Sequence, residues 1–451
     1  MILLVALLLA SPAEAGRRAR VAPLDLSGPL RADTLEALVA ELAPLVGEVA
    51  GRPFDAVPFA GIGTPDTLAR FVASDSRAIL TGLYPTLSDE AVRQLSRTHP
   101  LEVSGLVGKY APRAHGVYVS EEALDAVVAS GGVSQGERGS YLRLVVAHEL
   151  VHALQDQQVE LDHAFRTCED FEALQSLRTA TEGQAMWVEE RVAARLGLTE
   201  LYWRAAAQQG WGPEGLLVAP AWDLWAVYGQ GRTWMDWLYQ DGGTEAQWAV
   251  IASPPRTTAP AFRRGAAPLQ PSRIGEGLDG VELGLTEGDW LAHSSVLGEG
   301  ALRERTLGVE ASVLDALLSR VTEGAQREAV REDRAVWAGL ARLDGEGAAR
   351  ALGEHLCAAE PAEALLGEAW AVSREPWEDG AADYACLWTS GPSGPRPARA
   401  EVRRLVEVRG REVLLLEARG FRPGLRYQRA VDEVFAGAPA GAGLVAPAPP
   451  R

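Results

Sequence analysis

The chain has 451 residues, 47% of them hydrophobic and 23% charged, and a net charge of −18. That length accommodates two or three domains with sizeable cores, and the composition is ordinary for a globular protein. The negative charge excludes a nucleic-acid partner held through its phosphates. No segment stays apolar for the ~20 residues that a membrane-crossing helix needs, so no membrane span is expected.

Ile2 to Ala10 is almost wholly apolar, and Ser11-Pro12-Ala13-Glu14-Ala15 ends in an A-x-A pattern before Gly16, although no Lys or Arg precedes the run. Residues 1–15 therefore read as a signal peptide, and the mature chain is expected to be secreted or periplasmic. Lys109 is the only lysine and asparagine is absent, a compositional bias that leaves Arg-for-Lys choices without mechanistic weight. From 21 to 140 helical and strand patterns alternate. Asp33–Val49 and Asp66–Val72 have helical spacing, His115–Ser120 is β-rich, and Gly131–Gly139 is a Gly-rich break.

Tyr141–Gln158 is the clearest helix, with Leu144, Val145, Ala147, Leu150, Val151 and Leu154 around two histidines. Phe171–Leu196 reads as a second long helix, so residues 141–260 form a helical part. Tryptophans such as Trp187, Trp203, Trp225, Trp234 and Trp248 are expected in core packing, with an aromatic-lined cleft as the alternative. Pro254-Pro255 and Arg263–Pro271 mark a boundary. The C-terminal region at 285–435 is expected to be helical or α+β: Trp290–Ala358 reads mostly helical, whereas Tyr384–Ser390 and Glu412–Ala418 alternate like strands. The Ala, Gly and Pro of residues 436–451 suggest a disordered tail. Of Cys168, Cys357 and Cys386, the last two are the favoured disulfide pair in an oxidising compartment, with three reduced cysteines as the alternative.

The chemistry concentrates in His148-Glu149-Leu150-Val151-His152. Residues four apart share a helix face, so the two imidazoles can serve one metal ion, zinc by preference. Glu149 stands beside the first ligand, placed to take a proton from water and return it to a leaving amine. A catalytic zinc usually has three protein ligands. Glu182, 30 positions after His152 and flanked by Ala180, Gly183 and Ala185, is the preferred third. Glu189, Glu190 and His163 are rivals, although Gln155 and Gln158 break the metzincin spacing that would favour His163. The bland alternative is a partly buried helix whose His and Glu simply pair.

His148-Glu149-x-x-His152 followed by Glu182-Gly183-x-Ala185 resembles the gluzincins, zinc peptidases with a downstream glutamate ligand, and the aminopeptidase N branch in particular. The run Ala153-Leu154-Gln155-Asp156-Gln157 after the second His is similar to that of bacterial secreted proteins in the same clan. The resemblance covers roughly 110–260. It implies an α+β, zincin-like catalytic domain, with a small mixed sheet and metal-bearing helices, beside a mainly helical C-terminal region. It implies a peptide or protein substrate, and a tyrosine that steadies the oxyanion. Tyr228 in Tyr228-Gly229-Gln230-Gly231 matches that tyrosine, with His293 and Tyr239 as rivals. It further implies an edge strand that pairs with substrate backbone, for which Gly116–Ser120 is the candidate.

The chain lacks the Gly-x-Met-Glu-Asn loop with which aminopeptidase N relatives hold a free amine, so amino-terminal exopeptidase activity is not implied. Nor does an Asp follow Glu182 by four residues, as in thermolysin-like enzymes; Asp156 is a candidate to orient an imidazole instead.

Two other classes compete. Gly132-Val133-Ser134-Gln135-Gly136 matches G-x-S-x-G, but the helical pattern before it is wrong for a nucleophile elbow. A non-catalytic zincin-like binding or scaffold module of the cell envelope is the second. It predicts no zinc, or zinc without peptide cleavage. Nothing in the sequence sets the oligomeric state.

Overall fold

The computed structural model describes residues 26, 28–83, 106–208, 225–266, 270–271, 291–306, 310–331, 334–359, 370–376, 382–392 and 402–419, with isolated positions between 84 and 105. The signal peptide and the C-terminal tail lie outside the described residues. The chain divides into two units: 1–77, 93–162 and 184–212 form the first, and 78–92, 163–183 and 213–451 the second.

In the first unit, helix α1 (Ala32–Ala50) leads to strand β1 (Phe59–Gly63) and helix α2 (Pro65–Leu83), whose residues from Ala78 on are assigned to the second unit. Strands β2 (Gly108–Ala111) and β3 (Gly116–Ser120) form a hairpin, followed by α3 (Glu121–Ala129). The sheet order is β1-β3-β2, with β1 parallel and β2 antiparallel to β3. The strand expected at the edge, Gly116–Ser120, is therefore central, because Phe59–Gly63 pairs with its other side. That long-range pairing has no local pattern. Among the described residues β2 is an edge instead.

Helix α4 (Arg138–Val159) is apolar around most of its circumference, as a helix buried on several sides must be. Leu35, Leu38, Val39, Leu42 and Val46 of α1 and Leu142, Val146, Leu150 and Val151 of α4 are all essentially inaccessible to solvent. The helix start is held by buried Arg138, which reaches Glu121 and Asp125 at 2.8 Å each and donates to the Leu26 carbonyl at 3.1 Å. Leu26 thus belongs to the folded unit. After α5 (Leu161–Arg166), helix α6 (Phe171–Leu196) passes from the second unit into the first. Gly197 ends it with φ 74°, in the left-handed region that glycine favours. Helix α7 (Thr199–Gln208) follows.

The second unit contains a π-helical turn at Trp225–Gln230 that runs into α8 (Gly231–Ala252), then α9 (Ala259–Phe262). Beyond these lie β4 (Gln270–Pro271), β5 (Leu291–Val296), α10 (Glu299–Glu304) and α11 (Ala311–Leu318). Strands β6 (Val321–Arg331) and β7 (Arg334–Leu343) precede α12 (Glu346–Ala358), and β8 (Trp370–Pro376), β9 (Tyr384–Pro392), β10 (Val402–Arg409) and β11 (Glu412–Arg419) complete the unit. The eight strands run β4-β6-β7-β11-β10-β9-β8, with β5 also on β6.

Leu352 and Leu356 of α12 pack on Val406, Val408, Val413 and Leu415. The expected Cys357–Cys386 disulfide is present and joins α12 to β9. The α+β class is as expected, as are the strands at Tyr384–Ser390 and Glu412–Ala418. Within Trp290–Ala358, however, β5, β6 and β7 stand where mostly helix was expected. The Ala, Glu and Arg content there favours helix locally, and cross-strand pairing overrides it.

Candidate metal centre

The 3-10 turn Gln135–Glu137 that leads into α4 starts from a capping box. Ser134 Oγ and backbone N–H both donate to Glu137 Oε2, at 2.6 and 3.0 Å. Ser134 is thus a helix-start residue, not a nucleophile on an elbow. About three turns into α4, His148 and His152 face each other, their Nε2 atoms 3.2 Å apart. One ligand atom each from His148, His152 and Glu182 lie within 4.8 Å of one another. This cluster could hold a metal ion, and its members are the three residues expected as ligands.

The far sides of both imidazoles are engaged. His148 Nδ1 lies 3.0 Å from Glu189 Oε2, and His152 Nδ1 lies 2.9 Å from Gln155 Oε1. With Glu189 as a carboxylate and Gln155 presenting its amide oxygen, the neutral rings that fit these contacts carry their protons on Nδ1 and turn Nε2 toward the shared side. Two lone pairs at 3.2 Å repel unless a cation stands between them. Two nitrogens each bound at about 2.0–2.1 Å to one tetrahedral ion stand roughly 3.3 Å apart. The donor set, two neutral imidazoles and a carboxylate, therefore fits a divalent metal of the zinc type.

The rival ligands have other places. Glu189 backs His148; burial pushes its carboxyl above the usual range, and the bond to His148 opposes that rise. Glu190 pairs with Arg191 at 3.7 Å, and His163 lies on α5 outside the cluster. Asp156 accepts from Tyr110 Oη at 2.8 Å and stands 3.9 Å from His115 Nδ1, so Gln155 takes the imidazole-orienting place expected for Asp156. Spacing alone hid this, although Gln155 lies in the run quoted after His152 and follows it by three residues on one helix.

Glu149 is buried, and its Oε2 accepts from Tyr110 N–H at 2.5 Å. Gly108 permits this approach: a Cβ there would stand 2.5 Å from Val145 Cγ1 and 3.1 Å from Glu149 Cγ. Ser120 N–H donates to Val107 O. Alternation along the ladder then turns the main-chain groups of Gly108 and Tyr110 away from β3, toward the open side of β2. That side, and not β3, is where an extended chain could add.

Tyr228 lies half-buried on the π-helical turn, a geometry that inserts an extra residue and re-aims side chains. Three residues later Gly231 crosses α6 backbone to backbone. A Cβ on Gly183 would meet the Gly231 carbonyl carbon at 2.4 Å, and one on Gly231 would meet Thr179 O at 2.5 Å. The turn bearing Tyr228 thus runs into α8 where that helix crosses α6, at the residue after Glu182. Of the rivals, Tyr239 lies on α8 and His293 on β5. Trp187 is buried under the Arg191 guanidinium, 3.5 Å from its ring centre, and packs in the core as expected.

No helix among the described residues is long and apolar enough to cross a membrane. No protein-family model matches the chain. No curated protein matches it. Among solved structures it is similar to a candidate hydrolase with a novel fold from Chloroflexus aurantiacus, at 14% identity and a TM-score of 0.35 over 50% of this chain and 90% of that one. A likeness of that size carries no argument, and the site stands on its own geometry.

Proposed function

We propose that the protein is a secreted, zinc-dependent peptidase of the gluzincin type. The observation that carries this reading is the pair of Nε2 atoms 3.2 Å apart, with Glu189 and Gln155 oxygens at the two Nδ1 atoms and a Glu182 oxygen within 4.8 Å of the pair. His148, His152 and Glu182 would hold the metal. When bound, it supplies Lewis acidity, which makes water a nucleophile near neutral pH.

Glu149 takes the proton of the attacking water on its carboxylate and passes it to the nitrogen of the departing amine. Tyr228 donates its phenolic O–H to the carbonyl oxygen as negative charge gathers there. The outward backbone groups of Gly108 and the Tyr110 carbonyl hold an extended substrate along β2, the Tyr110 N–H being given to Glu149. The Cys357–Cys386 disulfide, together with the apolar N-terminal run ending in A-x-A, supports export.

The test is Glu149→Gln in the mature protein, with hydrolysis of a quenched-fluorescent peptide library and metal content read together. Turnover should vanish while zinc stays near one per chain. Unchanged turnover defeats the mechanism. Wild-type protein that holds zinc but cleaves no peptide favours the scaffold reading.

A further inference from the structure

Gln155 and Gln184 are both fully buried, at 0% exposure. Gln155 Nε2 donates to Gln184 Oε1 at 3.0 Å, while Gln155 Oε1 faces His152 Nδ1 at 2.9 Å. At the far end of this chain Gln184 Nε2 has no hydrogen-bond partner among the described residues. An amide has a donor on one side and an acceptor on the other, so two linked amides have a direction.

In the direction found, an acceptor faces His152, the ring proton stays on Nδ1, and Nε2 is left bare on the side of His148. Turning both amides over would preserve the bond between them, but it would set an N–H against His152 Nδ1. The imidazole could then accept only with its proton on Nε2, where a metal must bind. Either direction leaves the outer group of the Gln184 amide without a partner among the described residues, so the two directions differ at the His152 end, where only the one found leaves Nε2 to an ion.

We infer that Gln184 is a positioning residue for the metal centre. It fixes the direction of the Gln155 amide and, through it, the face that His152 offers to the ion. The inference rests on reading His148, His152 and Glu182 as a metal centre, and not on peptide as the substrate.

The experiment measures zinc Kd by chelator competition, with Tm in parallel, on the full chain. Gln184→Met removes the acceptor and should weaken zinc about tenfold. Gln155→Met should weaken it at least as much, and the double variant should be no weaker than Gln155→Met alone, because Gln184 acts only through Gln155. Gln155→Glu accepts with either oxygen and needs no orientation. It should bind zinc at least as tightly as wild type, and continue to do so when Gln184→Met is added. Gln184→Asn, which withdraws the acceptor by one methylene, is a second variant expected to weaken zinc in the same direction if the Met variant does not fold.

An unchanged Kd in both Gln184 variants, additive losses in the double variant, or a Gln184→Met penalty that persists beside Gln155→Glu overturns the inference. A fall in Tm with unchanged Kd also overturns it, by assigning Gln184 to packing alone. Wild-type protein that holds no zinc removes the metal centre itself. Wild-type protein that binds zinc without cleaving peptide leaves the zinc-affinity test intact and defeats only the peptidase reading.

Discussion

Glu189 stands behind His148, its Oε2 3.0 Å from the imidazole Nδ1, and so backs a proposed ligand from outside the cluster that would hold the metal. A carboxylate there fixes the ring and raises the basicity of the nitrogen that meets the metal. Glu189→Gln retains an acceptor but loses the charge. Zinc affinity should fall by about 10- to 100-fold, with stoichiometry at saturation unchanged. Glu182→Ala should instead lose most of the zinc under the same dialysis. If the two variants behave in the opposite order, the roles of the two glutamates are exchanged.

Glu172 makes stability depend on pH. It is buried at the start of α6, where its Oε1 accepts from Thr258 N–H at 2.6 Å and from Thr258 Oγ1 at 2.7 Å. Desolvation pushes its carboxyl up to about 8 from 4.5; the Thr258 hydrogen bonds oppose this, and Asp170 and Glu299 add to it. The folded form therefore keeps a proton that the unfolded form releases. The stability from this group is fully present below about pH 4.5 and is lost as pH rises through about 8. Relative to Glu172→Gln, which is neutral throughout, the wild type should lose on the order of a few kcal/mol between pH 5 and pH 8. Urea midpoints of both proteins at three pH values measure this, and a difference that does not change with pH removes Glu172 as its source.

The Cys357–Cys386 bond closes a loop across 29 residues between α12 and β9. Cross-linking a loop of that length removes unfolded-state entropy worth about 3–4 kcal/mol. Cys386→Ser should lower the unfolding free energy by that order, and a reducing agent should destabilise the wild type but not the variant. Cys168 is a poor competitor for either partner, because burial and Asp170 push its thiol up to about 11. Thiol counting under denaturing, non-reducing conditions should accordingly find one free thiol per chain.

The parts of the site set by helix periodicity were legible in the sequence, and those set by long-range contact were not. His148 and His152 meet because four residues make one helical turn, and Glu182 stands out by its small neighbours on a second helix. Glu189 was visible only as a rival ligand, since spacing does not say which nitrogen of a ring a carboxylate will reach. Asp156 and Gln155 are adjacent in one motif, yet they point to different partners, Tyr110 and His152, and only the packed helix separates them. Gly116–Ser120 was recognisable as a strand, but its central position depends on Phe59–Gly63, more than fifty residues earlier. Glu323–Arg331 has helix-favouring Ala, Glu and Arg, and becomes strand because β7 pairs with it over nearly its whole length. Local preference is weak against a full ladder of partners.

Gly108 tests whether β2 and the carboxylate proposed as the base, Glu149, work as one device. The strand lies so close to α4 that a Cβ at this position would stand 2.5 Å from Val145 Cγ1, nearer than real side chains approach. Gly108→Ala must therefore lift β2 from α4 or rotate Val145, and either change loosens the bond from Tyr110 N–H to Glu149 Oε2, 2.5 Å in the native protein. None of the three proposed ligands lies on this strand, so zinc affinity should stay within about twofold of wild type, whereas disturbing an outer partner of a catalytic group should cost about tenfold or more in turnover of a fluorogenic peptide. Glu149→Gln combined with Gly108→Ala should be no less active than Glu149→Gln alone, because both act on the same proton transfer. Parallel losses of zinc and turnover in Gly108→Ala would instead show that β2 supports the fold of α4 as a whole. In that case the close approach of strand and helix serves the core of the first unit before it serves the carboxylate.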